Sequence, residues 1–400
     1  MTKHTITADF HKTYEIRRSG DDWRFTERFS VSGDMLGIHV AAKYDNTRID
    51  VAGRASGKQA ALYTEADDVD IVLADTSKLT GGYGIVATGN HLDVVNGGQI
   101  SAKLAGAVLT DDSGASFRNA GDINGQYGVV FFFGTSTASS AELVNGKGAR
   151  IIASENGVQI GTSPGTTARI ENHGRITGGT HAVAGGDGNE IVINDGTMKG
   201  EIALGRGDDR FDNRDGVIVN ADSGVRGEMG NDTLITDSAA VKLIEAVSQG
   251  IHDTVRSTVS YTLSENVEDL FLLGSRNTSA TGTDLENIIH GNSGNNVISG
   301  LSGLDELYGH KGADILRGGG DGDIFHFLTG DGRDTITDFA HASDKIDMSG
   351  WAAISGFDDL MQNHLEFVNG DAIITAGKDT LTLKGVAEAD LDAGDFFFAI

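Results

Sequence analysis

The sequence of 400 residues carries a net charge of −27, and 57 of its residues are glycine, while one is proline and none is cysteine. The acidic charge excludes duplex nucleic acid as a partner, because that binding depends on Lys and Arg side chains that neutralise phosphates. The lack of cysteine excludes disulfides and thiolate metal sites, and the single proline excludes a collagen-like chain.

The acidic charge is concentrated near the carboxyl end. Residues 282–400 hold 21 acidic and 6 basic side chains, a net of −15, and the other 281 residues carry −12. Such a concentration resists compaction unless cations neutralise it. No apolar stretch reaches the ~18 residues of a membrane span, so we expect no transmembrane segment. Residues 1–10 lack the apolar region of a conventional signal peptide.

The first part of the chain predicts stacked β structure. Residues 1–48 alternate like ordinary strands and are predicted to form an N-terminal β cap, which covers an edge that would otherwise aggregate. Across 49–235, Asn and Gly precede apolar anchor residues that recur in steps of 19 to 28 residues: Ala55, Leu79, Ile100, Ile123, Ile151, Ile176, Met198 and Val217. Short strands at this spacing predict a right-handed parallel β-helix. The asparagines are interpreted as turn residues that tolerate the left-handed conformation.

The residue before each anchor is predicted to face solvent. Four of the seven are basic, in the series Arg54, Lys78, Gln99, Asp122, Arg150, Arg175 and Thr197. This column could bind an acidic glycan, but a solvated column that moderates self-repulsion is the favoured interpretation. Asp111-Asp112 is an acid pair directly after a strand; it could share general acid–base work, and a turn is favoured.

A second pattern, G-G-x-G-x-D-x-U-x with U apolar, begins near the end of the β-helix. Its degenerate copies place Glu190, Asp209 and Asp232 at the sixth position. A connecting β segment is predicted at 236–281. Five nonapeptides then follow without a gap from 282 to 326, and a sixth occupies 329–337 after two inserted residues.

The nonapeptides predict calcium sites. The first six residues form a turn, in which glycines direct backbone carbonyls into a shared groove and the sixth residue adds a carboxylate. Calcium accepts six to eight oxygens in flexible geometry, whereas magnesium requires a stricter octahedron. The predicted binding residues are Gly300, Gly303, Gly309, Gly312, Gly318, Gly320, Gly332, Asn287, Asn296, Asp305, Asp314, Asp323 and Asp334, with Glu190, Asp209 and Asp232 in the degenerate copies.

Two nonapeptides are expected to make one coil of a parallel β-roll. Asn287, Asp305 and Asp323 should therefore line one edge, and Asn296, Asp314 and Asp334 the other. Because Asn lacks the carboxylate charge, the first two repeats are expected to bind weakly or not at all. Asp321 occupies the fourth position of the fifth repeat, where glycine is usual, so that turn is expected to shift by one residue.

These repeats resemble those of the RTX (haemolysin-type calcium-binding repeat) proteins of Gram-negative bacteria. Asp253–Leu270 resembles the linker that precedes such arrays, and Asp334–Phe339 with Asp344–Ser349 resembles the segment that follows them in serralysin-like domains. The resemblance implies a secreted, extracellular protein exported by a type I secretion apparatus. It also implies an uncleaved signal in the C-terminal β region at 338–400, and Asp395–Ile400 resembles that signal.

The predicted function is that of a secreted calcium-binding protein that folds on calcium outside the cell and contacts polysaccharide or a cell surface. The sequence favours a non-catalytic role. No H-E-x-x-H zinc motif is present among the 12 histidines. The alternative is a polysaccharide lyase or C5-epimerase that acts on an anionic glycan, with the repeats as its secretion and folding tail. A pore-forming toxin is disfavoured because no apolar or amphipathic helical region is present.

Overall fold

The computed structural model describes residues 2–111, 113–133, 140–219, 224–247, 250 and 252–399, and for Asp111 it describes the backbone alone. The chain forms two compact units, Met1–Gly230 and Asn231–Ile400. Strands make up nearly all of the regular structure in both units. Within the described residues, no helix has the length and apolar character needed to cross a bilayer.

The first unit consists of stacked coils that build two sheets of parallel strands. The strands of the first sheet are Lys3–Ile6, Asp22–Phe25, Thr47–Val51, Val69–Leu73, Leu92–Asn96, Ala115–Asn119, Ser140–Asn145, Thr167–Asn172, Asn189–Asn194 and Arg210–Asn213. The strands of the second sheet are Asp9–Phe10, Tyr14–Ile16, Ser30–Gly33, Leu36–Val40, Arg54–Thr64, Lys78–Ala87, Gln99–Asp111, Asp122–Gly125, Tyr127–Phe133, Arg150–Ala153, Val158–Gly161, Arg175–Gly186, Thr197–Arg206, Val217–Val219 and Gly224–Met229.

The core of the first unit is narrow and apolar. Ile49, Ile71 and Val94 align across adjacent strands, and none of the three is exposed to solvent. Alternate residues of each strand point into this core, and one coil cannot bury its apolar face without its neighbours. The predicted parallel β-helix is confirmed.

The register also tests the predicted anchors. Ala55, Leu79 and Ile100 align as predicted, and the alignment continues to Met198. The last anchor is wrong by one residue, because Met198 aligns with Ile218 and not with Val217. Val217 is 53% exposed and continues the outward-facing column instead.

The asparagines of the first unit form a ladder of buried amide groups. Side-chain amides donate to side-chain carbonyls from coil to coil at 2.6–2.8 Å, through Asn96, Asn119, Asn145, Asn172, Asn194 and Asn213. None of these asparagines has a positive φ, so the left-handed conformation is wrong. Their role at the turn is correct, because they bond locally to the backbone: the N–H of Gly98 donates to Oδ1 of Asn96 at 3.1 Å. Their position is fixed by hydrogen bonding to the same residue of the next coil.

Removal of one amide from the middle of this ladder should destabilise the first unit. In Asn145→Ala, the Nδ2 group of Asn119 loses its side-chain acceptor and keeps only backbone carbonyls, and the Oδ1 atom of Asn172 loses the donor from Asn145; both groups stay buried. We expect the free energy of unfolding to fall by about 2–4 kcal/mol, measured by guanidinium denaturation. Asn124→Ala is the control, since Asn124 is exposed, and it should change stability by less than about 0.5 kcal/mol. Equal effects of the two changes would contradict a structural role of the ladder.

The second unit begins with further parallel coils and ends in a hairpin. Its first sheet contains Thr233–Thr236, Thr254–Ser257, Asp269–Leu272, Ile288–His290, Glu306–Tyr308, Ile324–Leu328, Lys345–Gly350 and Phe396–Phe397. Its other sheet contains Tyr261–Thr262, Ser279–Thr281, Val297–Leu301, Ile315–Gly319, Arg333–Ile336, Asp379–Leu383, Asp371–Ala376 and Leu365–Val368, of which the last three pair antiparallel with one another in this order. The remaining elements are the strand Lys242–Ile244, the helices Phe357–Asp359 and Leu360–His364, and the 3₁₀ turns Glu388–Asp390 and Ala393–Asp395.

The nonapeptides form a β-roll with two repeats in each coil, as predicted. Ile288 aligns with Glu306 and then with Ile324, a step of eighteen residues each time. The eighth-position side chains Leu307, Leu316, Phe325 and Ile336 are fully buried between the two sheets. The functional division of the chain into cap, β-helix, connector, roll and C-terminal region stays a prediction.

Candidate calcium-binding centre

The sixth residues of alternate nonapeptides stack on one edge of the roll. The backbone N–H of Asn287 donates to Oδ1 of Asp305 at 2.9 Å, and the N–H of Asp305 donates to Oδ1 of Asp323 at 3.1 Å. The column continues to Asp344, whose Oδ1 accepts from the N–H of Asp323 at 3.1 Å. The sequence analysis missed Asp344, because no glycine turn precedes it.

The other edge carries the second column. The N–H of Asn296 donates to Oδ1 of Asp314 at 2.6 Å, and the N–H of Asp314 donates to Oδ1 of Asp334 at 2.9 Å. Ile315 aligns with Thr335, so the two inserted residues before the sixth repeat do not disturb the stacking. The structure therefore brings the predicted residues into two columns of carboxylate and amide groups.

The carboxylates in these columns are buried and only partly satisfied. Asp305, Asp314 and Asp323 are at most 1% exposed, and the Oδ2 atom of each has no hydrogen-bond donor. Within the described part of the chain, no Lys, Arg or His forms an ion pair with any of the three. Burial of an unpaired carboxylate is costly unless a proton or a cation neutralises it.

Burial shifts the protonation of the same groups. It raises the pKa of Asp305 and Asp314 to about 7, and that of Asp323 to about 6. The pKa of Asp334 is raised to about 8, chiefly by burial and additionally by the neighbouring carboxylates Asp314, Asp331 and Asp379. At a pH where free carboxylates are ionised, each of these groups therefore favours either a bound proton or a bound cation.

The glycines leave room beside the free carboxylate oxygens. A Cβ atom on Gly300 would lie 1.9 Å from Oδ2 of Asp305, and one on Gly318 would lie 2.0 Å from Oδ2 of Asp323. On the other edge, a Cβ atom on Gly309 would lie 2.7 Å from Oδ2 of Asp314. These positions form a cradle of oxygen atoms, with no nitrogen or sulfur ligand, which suits calcium.

The fourth positions of the turns adopt a left-handed conformation. Gly303 has φ of 115°, Gly312 of 154° and Gly332 of 112°. In the fifth repeat Asp321 itself has φ of 70°, and Ile324 keeps the eighteen-residue register. The expected shift of that turn by one residue is therefore wrong, since Asp can occupy the left-handed region when the turn requires it.

The first two repeats satisfy their own polar groups. The side-chain Nδ2 of Asn287 donates to the carbonyls of Val267 and Glu268, both at 3.1 Å, and that of Asn296 donates to the carbonyl of Thr278 at 3.2 Å. These amides occupy carbonyl oxygens that a metal ion would otherwise need. The contacts support the expectation that the first two repeats bind calcium weakly or not at all.

The degenerate copies also bury their acidic residues. In the first unit, the N–H of Glu190 donates to Oδ1 of Asp209 at 2.6 Å, and burial raises the pKa of Asp209 to about 8. In the second unit, Asp232 lies with Glu245 and Asp253, and oxygens of the three buried carboxylates fall within 4.8 Å of one another. The sequence analysis missed Glu245 and Asp253, which stand outside any glycine turn.

A matched pair of glycine substitutions tests the cradle. Gly300→Ala should lower calcium affinity at least tenfold, because its Cβ atom would displace Oδ2 of Asp305. Gly356→Ala is the control, since Gly356 is not a predicted binding residue and a Cβ atom on it would have no neighbour within 4 Å, and it should bind like the unchanged chain. Calorimetric titration of both variants makes the comparison. A similar affinity in the two variants would show that Oδ2 of Asp305 is not a ligand.

Only one member of the candidate catalytic pair Asp111-Asp112 lies within the described residues. Asp112 lies outside the described residues, and Asp111 is the last residue of the strand Gln99–Asp111. The candidate basic column is in place. Arg54 aligns with Lys78, Lys78 with Gln99, and the series continues in register to Thr197.

The comparison with protein families agrees with the geometry of the roll. Residues 281–325 match the family model of the RTX calcium-binding nonapeptide repeat in four copies. No curated protein matches the sequence. Among solved structures, the extracellular lipase LipA from Serratia marcescens is 19% identical, with a TM-score of 0.27 over 60% of this chain. This chain covers 40% of the lipase chain. The protein is thus a parallel β-solenoid that carries RTX calcium-binding repeats.

Proposed function

We propose that calcium closes the β-roll and that the protein folds to completion outside the cell, where calcium is abundant. The observation that carries this proposal is the set of buried Oδ2 atoms of Asp305, Asp314 and Asp323, which have no donor within the protein. A cation between adjacent turns would neutralise these carboxylates and complete their coordination. Without a cation, their burial opposes closure of the roll. The free energy of calcium binding thereby becomes free energy of folding.

Calorimetric titration of the full chain with calcium tests this proposal. We expect stoichiometric uptake of several ions, accompanied by a gain of β signal in circular dichroism. Magnesium is the control ion, and it should give little heat at equal concentration because it dehydrates reluctantly and requires octahedral geometry. No uptake of calcium in the millimolar range would contradict the proposal.

We also propose that the chain is secreted by a type I apparatus. The acidic repeats support this route, because at low calcium they repel one another and leave the chain open enough to pass a channel. The test compares cells that have a type I exporter with cells that lack it. The protein should reach the culture medium only in the first case, and equal amounts in both media would contradict the route.

For the first unit we propose a non-catalytic role in contact with polysaccharide. The exposed column from Arg54 to Arg175 supports an anionic partner, since four of its six aligned residues are basic in a chain of net charge −27. Within the column, Arg150 and Asp122 already form a bidentate ion pair at 2.7–2.8 Å. That pair leaves Arg54, Lys78 and Arg175 as the basic groups open to a partner.

An enzyme that acts on the same glycan is the alternative, and one assay separates the two. Purified protein is incubated with uronate polymers in calcium, and the absorbance of unsaturated ends and the epimer ratio are followed. The non-catalytic proposal expects binding without either change. Formation of unsaturated ends, or a change in epimer ratio, would assign a lyase or an epimerase.

A further inference from the structure

A groove crosses the outer face of the second sheet in the first unit. It has a volume of about 440 Å³, and its walls combine aromatic rings with amide side chains: Tyr63, Tyr83, Tyr127, Phe132, Gln59 and Gln159. Its volume lies in the range of sites that hold small ligands, at roughly 300–1,000 Å³. A groove of this size suits a few linked rings of a chain molecule better than the broad face of a protein.

The tyrosines occur at a regular spacing along the stack of coils. Tyr83 aligns with Ala105, and Ala105 aligns with Tyr127, so the two rings stand two coils apart with a small residue between them. Neighbouring strands lie about 4.8 Å apart, which separates the rings by roughly 10 Å. The alternation of small and aromatic residues forms a slot between two partly exposed ring faces.

A hydrogen bond holds the hydroxyl end of one of these tyrosines. The hydroxyl of Tyr63 donates to Oε1 of Glu65 at 2.7 Å. Tyrosine has few rotatable bonds, so a ring fixed at its hydroxyl loses little entropy when a ligand packs against it. The ring of Tyr63 is therefore preorganised at the border of the groove.

Another pocket on the outer face of the same sheet is polar and basic. Lys58 and Lys103 line it, together with the hydroxyl column Ser56, Thr80 and Ser101, whose members align from coil to coil. Lys58 lies 3.6 Å from Asp34, but both side chains are largely exposed, so this ion pair contributes little and leaves the ammonium group open to a ligand. This second pocket offers ammonium groups and hydroxyls beside the aromatic groove.

We propose that the groove binds a short segment of an anionic polysaccharide. The apolar faces of sugar rings pack on Tyr83 and Tyr127, and the carboxylates of the chain face Lys58 and Lys103. Aromatic rings that combine an apolar face with a polar edge suit such a ligand, and the local basic groups allow a polyanion to approach an acidic protein. This assignment rests on the proposed polysaccharide contact and gives it a place on the first unit.

Binding of a uronate oligosaccharide to the calcium-loaded full chain tests the assignment. We expect Tyr83→Ala/Tyr127→Ala to lower the affinity at least tenfold. Lys58→Gln/Lys103→Gln should lower it at least fivefold and reduce its dependence on salt. The control is Arg118→Gln/Arg169→Gln, which removes two charges from the first sheet of the same unit, outside the groove and the basic column, and should bind like the unchanged chain. A neutral oligosaccharide of equal length should bind more weakly than the uronate.

Each contrary result has a distinct meaning. If the unchanged chain binds no oligosaccharide, the polysaccharide contact and the groove assignment both fail. If it binds but the tyrosine variant binds equally well, the groove assignment alone fails. Loss of affinity in a separate variant, Arg54→Gln/Arg175→Gln, with none in the groove variants places the ligand on the basic column. Sedimentation of the same proteins tests whether a second copy of the chain occupies the groove instead. If the unchanged chain is a dimer and the tyrosine variant is a monomer, the groove is a dimer interface and the polysaccharide assignment fails.

Discussion

Removal of calcium should release the β-roll while the first unit stays folded. In excess chelator near pH 8, the backbone amides of residues 282–337 in the full chain should exchange with deuterium at least 100-fold faster than in calcium. At a calcium concentration one hundred times the dissociation constant, each site adds about 2.7 kcal/mol to stability. Three or four such sites together approach the whole stability of an ordinary domain, about 5–15 kcal/mol.

The first unit provides an internal control in the same experiment. Its strands Arg54–Thr64 and Lys78–Ala87 surround an apolar core, and the neighbouring coils carry the ladder of neutral asparagine amides. Their amides should stay protected in chelator, because this stacking needs no cation. Mass spectrometry of peptides from the exchanged protein separates the two regions. Equal protection of residues 282–337 with and without calcium would contradict calcium-dependent closure.

The parts of this structure that the sequence predicts are those where spacing and residue type agree. Five nonapeptides without a gap fix an eighteen-residue coil, and the alignment of Ile288, Glu306 and Ile324 follows from that spacing alone. The buried positions of Leu307 and Phe325 follow as well, since successive strand residues point to opposite faces. The regular spacing of the glycine turns therefore predicts both the β-roll and the two columns of sixth-position carboxylate and amide groups.

Two buried carboxylates, Asp344 and Asp253, were not predicted from the sequence because the segments before them do not follow the nonapeptide pattern. Asp344 follows Asp323 by twenty-one residues, and Asp253 follows Asp232 by the same number. In both cases the residues before the carboxylate lack the G-G-x-G-x-D pattern, although the strands that follow continue the stack. Their place is set by the pairing of the strands that follow them, which spacing alone does not show.

The asparagine ladder illustrates a second limit. An asparagine before a glycine is equally compatible with a left-handed turn and with a buried amide that bonds to the next coil. The choice depends on whether the same residue type stands at the aligned position of the neighbouring coil, as Asn119 and Asn145 do. Only the register between coils distinguishes the two roles. This register cannot be read from a fixed spacing, because the coils differ in length.

The two ladders explain why the two units contain different kinds of coil. In the first unit, the neutral amides from Asn96 to Asn213 satisfy each other, and this ladder needs no cation. In the roll, carboxylates such as Asp305 and Asp323 take the equivalent role toward the backbone N–H of the preceding coil, but each retains one oxygen without a donor. The change from amide to carboxylate makes folding depend on a cation.

The same carboxylates give stability a pH dependence whose direction reverses with calcium. Burial raises the pKa of Asp305 and Asp314 to about 7 and that of Asp334 to about 8, above the ordinary value near 3.9 in an unfolded chain. The calcium-free folded roll therefore binds more protons than the unfolded chain. Its stability is lowest above pH 8 and increases as the pH falls toward 4, by up to about 1.4 kcal/mol per pH unit for each carboxyl group.

With calcium present, protons compete with the metal for the same oxygens, so stability should fall as the pH decreases from about 8 to 5. We expect the chain in chelator to gain β signal over the range in which the calcium-loaded chain loses stability. Circular dichroism and denaturant titration at several pH values measure both curves. The variant Asp305→Asn/Asp314→Asn/Asp334→Asn is the control, and its calcium-free stability should change much less with pH because an amide does not titrate in this range. A calcium-free roll of the unchanged chain that weakens on acidification would contradict the burial of these groups as free carboxylates.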